Sequence, residues 1–267
     1  MNLLRLWACA VSTAAGLFVG GCMSYVAPGA VADFHAMGIS KTAADNLSDT
    51  DVEMAMNRKP AAAFPTSIVL ARVQGQDYSS MTNRGYGRGR YTIITTRDVE
   101  KDEDIARLEK LPMIRSLGTL NRLVLPSELN NERDLRIAAA NAQADILVLY
   151  TFDTHFQKGD TTIPALGVIT LGLFPNEVQR ATSTASAAFI DTRTGFIYGL
   201  CEATAKRERL SNAWGSESAL DTARRYAEED AFHALVGQME GTWKGIVAQY
   251  GPGSIEAQPH TPGIDLK

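Results

Sequence analysis

The chain has 267 residues, a formal net charge of −4 and three cysteines, and 45% of its residues are hydrophobic. This composition is typical of a globular protein that can bury a core of its own. The acidic balance excludes the broad positive surface with which proteins bind nucleic acids.

The first residues have the features of an export signal. Residues 1–5 carry one positive charge, and residues 6–19 form an apolar run that is short for a membrane-spanning helix and usual for a signal peptide. The sequence VGGC then ends at Cys22. This order resembles the lipobox of bacterial lipoproteins, in which a peptidase cuts before the cysteine and acyl chains are attached to it. An ordinary signal peptide with an incidental cysteine is the alternative.

The lipobox resemblance implies an anchor and a location. Residues 1–21 would be removed as the lipoprotein signal peptide, and Cys22 would carry lipid such as palmitate. Two or more acyl chains anchor a protein stably, since each buried CH₂ contributes about 0.8 kcal/mol. Met23 stands where an aspartate commonly retains lipoproteins in the inner membrane. We therefore expect attachment to the outer membrane, on its periplasmic face, with the membrane as a partner through the lipid.

The rest of the chain divides into three parts. Residues 22–60 lack a periodic apolar pattern and are predicted to be a tether, and residues 251–267 are predicted to be a flexible tail. Residues 61–250 are predicted to form one α/β domain. Cys201 is its only cysteine, and we expect a small buried side chain there rather than a reactive thiol.

The apolar periodicity predicts an α+β fold, an α/β sandwich in which helices pack on a mixed sheet and a long helix ends the domain. A short helix is predicted before the domain. In chain order, the elements are a helix at 49–57, strands at 67–73 and 90–96, a helix at 103–117 interrupted by Pro112, a strand at 123–125, a helix at 132–142, strands at 145–156, 178–190 and 196–205, and a helix at 217–250.

Two short motifs lie in this order of elements. Ala144 and Asp145 lead into the most apolar strand, and Asp-x-x-Thr-Gly begins at Asp191 in the predicted hairpin turn. Both resemble motifs of a family of envelope lipoproteins that includes the curli-secretion channel subunit and the lipoprotein activator of a cell-wall synthase. The resemblance covers residues 67–250. It implies the same fold, no catalytic residue, and a role as an adaptor or an oligomeric channel.

Asp153 and His155 are the best candidate pair for a ligand. Residues two apart on a strand share a face, so both side chains could reach one small molecule or ion. A polar strand end in solvent is the alternative interpretation.

The sequence RGYGRGRY places Arg84, Arg88 and Arg90 among glycines. Guanidinium groups and backbone amides could hold a phosphate or an acidic glycan there. A loop without a ligand is the alternative.

Gly237, Gly241 and Gly245 share one face of the last predicted helix. Each costs the helix about 1 kcal/mol relative to alanine, which favours a close approach of another backbone. That backbone could belong to the sheet of the domain or to a partner helix, and fraying of the helix end is a third interpretation.

The sequence TTIPALGVITLGLFPN at residues 161–176 carries no charge, although it joins two predicted strands. It could be an interior element of the fold, an exposed hairpin tip that contacts a partner or the membrane, or a membrane span. Its length is short for a spanning helix. As an exposed tip it would use Leu171 and Phe174 as contact residues.

The sequence contains no Gly-x-Ser-x-Gly, His-Glu-x-x-His or Walker motif. We expect no enzyme activity, no cofactor and no metal, but a non-enzymatic adaptor in envelope assembly or secretion, with an envelope protein as partner and a homo-oligomer possible. An oligomeric secretion channel is the first alternative, although it needs spanning strands of about 9–11 residues and the sequence shows no convincing pair. A periplasmic ligand binder or enzyme that uses Asp153, His155 and the arginine loop is the second. No nucleic acid is expected.

Overall fold

The computed structural model describes residues 49–76, 78, 80–160, 177–211 and 216–253. The predicted signal peptide, Cys22, most of the predicted tether and most of the predicted tail lie outside these residues. The helices are α1 (Asp49–Met56), α2 (Asp102–Glu109), α3 (Glu132–Asn141) and α4 (Ser216–Tyr250). The strands are β1 (Thr66–Gly75), β2 (Arg88–Gly89), β3 (Tyr91–Ile94), β4 (Ile114–Thr119), β5 (Glu128–Leu129), β6 (Ile146–Asp160), β7 (Glu177–Asp191) and β8 (Ile197–Ser211).

Six of these strands form one mixed sheet in the order β3-β1-β6-β7-β8, with β4 beside β1. Strand β1 is parallel to β4 and β6 and antiparallel to β3, whereas β6, β7 and β8 follow one another antiparallel. Strands β2 and β5 form a separate small ladder. The mixed sheet with its helices and long last helix confirms the predicted α+β fold class.

Strands β6, β7 and β8 form a long arm, called the three-stranded arm below. Each has 15 residues, which corresponds to about 50 Å of extended chain. The 35 residues of α4 span about 50 Å as well, so one helix can follow the arm along its length. No helix among the described residues, α4 included, is long and apolar enough to cross a membrane.

The sheet is covered on both faces at β1 and at the beginning of β6. Ile146, Leu147, Val148 and Leu149 are all buried, as the apolar residues on both faces of the predicted strand indicate. On one face the core contains α4 residues such as Trp243. On the other face α3 supplies its apolar side, which consists of Leu135, Ala138 and Ala139. The arm therefore extends from a part of the sheet that is buried on both faces.

Two sequence predictions are wrong between β3 and α3. The helix predicted at 103–117 ends at Glu109, because Pro112 cannot continue it, and Ile114–Thr119 instead pairs parallel to β1. The spacing of Ile114 and Leu117 fits a helix as well as a half-buried edge strand. The strand predicted at 123–125 is a 3₁₀ helix, Arg122–Val124, which leaves Leu123 93% exposed.

Candidate functional site

The chain enters the domain at the end of the sheet where β6 begins. Asp191 Oδ2 accepts hydrogen bonds from the Ala61 N–H at 2.7 Å and from the Tyr198 hydroxyl at 2.8 Å. Arg58 Nη1 donates to the Gly195 carbonyl oxygen at 3.1 Å. These contacts, called the entry clamp below, fix the segment that follows the predicted tether against the β7–β8 turn.

The two motifs of the family resemblance meet at the same end of the sheet. Asp191 Oδ1 accepts hydrogen bonds from the backbone N–H groups of Arg193 and Thr194, and Gly195 has φ 72°, a conformation that favours glycine. The Arg193 guanidinium lies 3.0 Å from Asp145 Oδ1. The sequence predicts this turn correctly, whereas the entry clamp was missed because Arg58 and Ala61 lie 137 and 130 positions from their partners in the turn.

The other end of the arm lies far from the entry clamp. Ile146 pairs with Asp191 at the clamp, and the antiparallel register continues without a shift to Asp160 opposite Glu177. Since each strand has 15 residues, these two ends are separated by about 50 Å. Leu171 and Phe174, the predicted contact residues, lie in sequence between Asp160 and Glu177 and outside the described residues.

Asp153 and His155 are brought together as predicted. His155 Nε2 lies 3.2 Å from Asp153 Oδ2, and the two side chains are 76% and 42% exposed. They lie on the face of the arm that α4 does not cover, opposite Thr184 and Thr182 of β7. The pair lies on an exposed, polar face of the sheet. Among the described residues, no group of three or more histidine, cysteine or acidic side chains is placed to hold a metal ion.

The backbone of the arginine loop, residues 84–91, forms hydrogen bonds within the domain. The N–H groups of Arg88 and Arg90 donate to the carbonyl oxygens of Ser127 and Leu129 and are not free to hold an anion. The side chains of Arg84, Arg88 and Arg90 are exposed. These guanidinium groups are accessible to a phosphate or an acidic glycan.

The glycine face of α4 points away from the domain. Gly237, Gly241 and Gly245 are exposed, and a methyl group added at each would meet no heavy atom within 4 Å. The prediction that these glycines pack on the sheet of the domain is therefore wrong, because larger side chains such as Trp243 face the sheet. Fraying is also excluded, since α4 continues to Tyr250. Contact with a partner stays a prediction.

Cys201 faces α4 from β8 and is half-buried. Burial raises the pKa of its thiol to about 11, so the thiol is protonated at neutral pH and a poor nucleophile. This environment fits the predicted small apolar side chain.

A cluster of charged side chains that the sequence analysis missed lies between the sheet and α4. Arg72 Nη1 is 2.8 Å from Asp98 Oδ1, and Arg72 Nη2 is 2.9 Å from Glu228 Oε2. Arg224 Nη1 is 2.6 Å from the same Glu228 oxygen. The cluster, called the buried ion network below, consists of Arg72, Asp98, Glu100, Asp221, Arg224 and Glu228.

The network balances burial against charge pairing. Burial would raise the pKa of Asp98, but the nearby guanidinium groups of Arg72 and Arg224 outweigh it and hold that pKa below its ordinary value. For Glu228 burial dominates and raises the pKa, although the same two guanidinium groups oppose the rise. Arg72 also lies 4.6 Å from the centre of the Phe152 ring. A single arginine inside the apolar sequence SIVLARV was the available signal for this cluster.

No family model matches the sequence, and no curated protein matches it significantly. Solved structures similar to the chain include a Xanthomonas campestris protein described by the family model DUF330, at 10% identity, covering 71% of this chain and 90% of that chain, with a TM-score of 0.31. A homologue of a neuraminyllactose-binding hemagglutinin from Helicobacter pylori has 10% identity, 70% and 93% coverage, and a TM-score of 0.32.

A lipoprotein from Neisseria meningitidis is also similar, at 12% identity, covering 66% of this chain and 99% of that chain, with a TM-score of 0.28. Identities and TM-scores this low assign neither a family nor an activity. The resemblance to the family of the curli-secretion channel subunit therefore stays a prediction from the sequence.

Proposed function

We propose that this chain is a bacterial envelope lipoprotein, held by lipid on Cys22 at the periplasmic face of the outer membrane. Its domain acts as a non-enzymatic protein-interaction module in envelope assembly or secretion. The observation that supports this role is the separation of two ends of the three-stranded arm. The segment that follows the predicted anchor enters at one end, at the entry clamp, and the last residue of β6 and the first residue of β7 lie about 50 Å away at the other.

The entry clamp fixes the point at which the tether joins the domain. A flexible tether alone would let the domain turn in any direction relative to its anchor. Hydrogen bonds from Arg58 and Ala61 fix the tether to the domain at one point, so the other end of the arm extends away from that point. The uncharged residues 161–176 join the two strand ends at the far end of the arm, Asp160 and Glu177, and apolar segments of this kind commonly mark contact sites when they are exposed.

The length of the strands fits the channel alternative, but their surroundings do not fit strands that face lipid. Strands β6 and β7 have 15 residues each, more than the roughly 9–11 that a membrane-spanning strand needs. One face of the described arm is nevertheless covered by protein, because Phe156 packs beside Ala223 and Ala227 of α4, and the other face carries polar side chains such as Asp153 and His155. This packing favours the interaction module.

Site-specific photo-crosslinking in cells tests the proposed function. A photoreactive amino acid is placed at Leu171 or Phe174, and at the exposed Arg133 of α3 as the control. We expect one adduct of the same mass from positions 171 and 174 and none from Arg133. The adduct should disappear when the Cys22→Ala substitution removes the anchor. Equal adducts from all three positions, or none from positions 171 and 174, would contradict the proposal.

A further inference from the structure

Strand β8 has one unpaired edge. It pairs with β7 along its length, and no other strand among the described residues lies beside it. The only register shift in this pairing is between Phe189 and Ile190, so β8 runs regularly from Gly199 onward. Natural edge strands are usually short, bulged or covered, because an open edge pairs with other strands. An open edge of this length is suited to pairing with another strand.

We propose that two copies of the chain pair antiparallel through their β8 edges, with Thr204 on the two-fold axis. The two six-stranded sheets would then form one continuous sheet. Main-chain hydrogen bonds along the edge supply the attraction, as in other cases of strand addition, and the side chains of β8 select the register. The inference does not depend on the envelope partner of the proposed function.

The charge pattern of β8 supports this register. On the exposed face, β8 presents Glu202, Thr204 and Lys206 in alternation. With Thr204 on the axis, Glu202 of each copy faces Lys206 of the other copy, which gives two opposite-charge pairs. Glu202 is already held on this face, since its carboxylate accepts a hydrogen bond from the Ser186 hydroxyl at 2.9 Å.

Neighbouring registers are less favourable. An axis at Glu202 or at Lys206 places like charges opposite each other, and an axis at Ala205 places Glu202 opposite Glu208. An axis at Ala203 forms no charge pair at all. An axis at Arg207 places Lys206 opposite Glu208, but Glu208 is already paired with Arg180 of its own chain, and two arginines face each other on the axis. Like charges directly opposite each other destabilise a strand pair, so Thr204 is the favoured centre.

The side of β8 that faces α4 is compatible with the same register. There Ala203 faces Ala205 of the second copy, and two small side chains leave the strands free to approach. Arg207 is neutralised within its own chain, because its Nη2 lies 2.9 Å from Asp230 Oδ1 on α4. The described side chains on this side of β8 therefore bring no unpaired charge into the pairing.

Disulfide crosslinking of the full chain in cell membranes tests the register. Paired residues of antiparallel strands have Cα atoms about 4.5–5.5 Å apart, which is within disulfide range. In a Cys201→Ala background, we expect Thr204→Cys to form a disulfide-linked dimer under mild oxidation. Lys206→Cys should not, because the two copies of this position lie more than about 10 Å apart. The Cys201→Ala chain alone controls for other thiols.

Charge exchange gives a second, independent measurement. In the Thr204→Cys chain, Lys206→Glu should lower the dimer yield at least severalfold, and adding Glu202→Lys should restore it. If the Thr204→Cys chain stays monomeric and its melting temperature is unchanged, the proposal is overturned. This result would be expected if the tail of the same chain paired with the β8 edge. Equal crosslinking at Thr204 and Lys206, or a disulfide adduct with another protein, would overturn it too.

Discussion

Glu228 is the carboxylate that joins the two arginines of the buried ion network most closely, because it lies 2.9 Å from Arg72 and 2.6 Å from Arg224, whereas Asp98 lies 3.7 Å from Arg224. Removing one partner from a buried charge pair leaves the other charge uncompensated. We expect Glu228→Gln to lower the free energy of unfolding by about 3–5 kcal/mol, measured by denaturant titration. The neighbouring Glu229, which pairs with the exposed Lys101, provides the control. Glu229→Gln should cost far less, because an ion pair with an exposed lysine contributes little, and equal losses would contradict a structural role of the network.

Asp98 makes the stability of the network depend on pH. Its pKa in the folded protein lies below the ordinary value of 3.8, so its stabilising contribution is present at neutral pH and is lost as the pH falls through the folded pKa. Asp98→Asn should therefore unfold more easily than the natural chain at pH 7. This difference should shrink between pH 4 and pH 3 in denaturant titrations. A difference that stays constant over this range would show that the charge of Asp98 contributes nothing.

At the scale of residues, the sequence predicts local chemistry and misses long-range partners. The turn that begins at Asp191 and ends at Gly195 is predicted because its residues adjoin each other in the chain. The Ala61 N–H donates a hydrogen bond to Asp191, and Arg72 donates one to Glu228. Both bonds join distant segments of the chain. No spacing rule relates such positions, so both the entry clamp and the buried ion network required the structure.

Among the elements, α4 is destabilised by the low helix propensity of its exposed glycines, and this cost can be measured. Because no atom of the domain lies near Gly241, alanine there should add helix propensity without a clash. We expect Gly241→Ala to raise the free energy of unfolding by up to about 1 kcal/mol and Gly241→Leu to be tolerated as well. Thermal melting measures both variants. A marked destabilisation by leucine alone would show that this face packs closely against another backbone after all.

The β6–β7 connection carries the second prediction about an element. If residues 161–176 form an exposed tip, Leu171→Asp and Phe174→Asp should abolish association with the partner or the membrane and leave the melting temperature nearly unchanged. Burying a charge in an interior element would instead unfold the domain. Co-purification and melting are measured on the same two variants. A large loss of stability would return the segment to the core.

The elements were predictable where periodicity and turn signals agree. The apolar start of β6 and the hairpin turn at Asp191 are both found where the sequence predicts them. The arm is longer than predicted, because its last residues, such as Gln157 and Glu208, carry no apolar alternation and extend by pairing with their neighbours. Edge strand β4 was predicted as helix because Ile114 and Leu117 fit both periods.

For the whole molecule, the proposed role depends on where the arm lies relative to the anchor. The entry clamp, the length of β6 and the matching length of α4 are properties of the described domain. The anchor itself is predicted from the sequence that ends at Cys22, which lies outside the described residues. If Cys22 is not acylated, the clamp holds a loose segment and the arm has no defined direction relative to a membrane.

Metabolic labelling with a fatty acid tests this central claim most directly. The natural chain and Cys22→Ala are produced in a bacterium with an outer membrane, and the label in each is measured after purification in detergent. We predict label in the natural chain and none in Cys22→Ala, which should also keep its signal peptide because the lipoprotein peptidase cuts only before a modified cysteine. An unlabelled natural chain, or label retained by Cys22→Ala, would contradict the account.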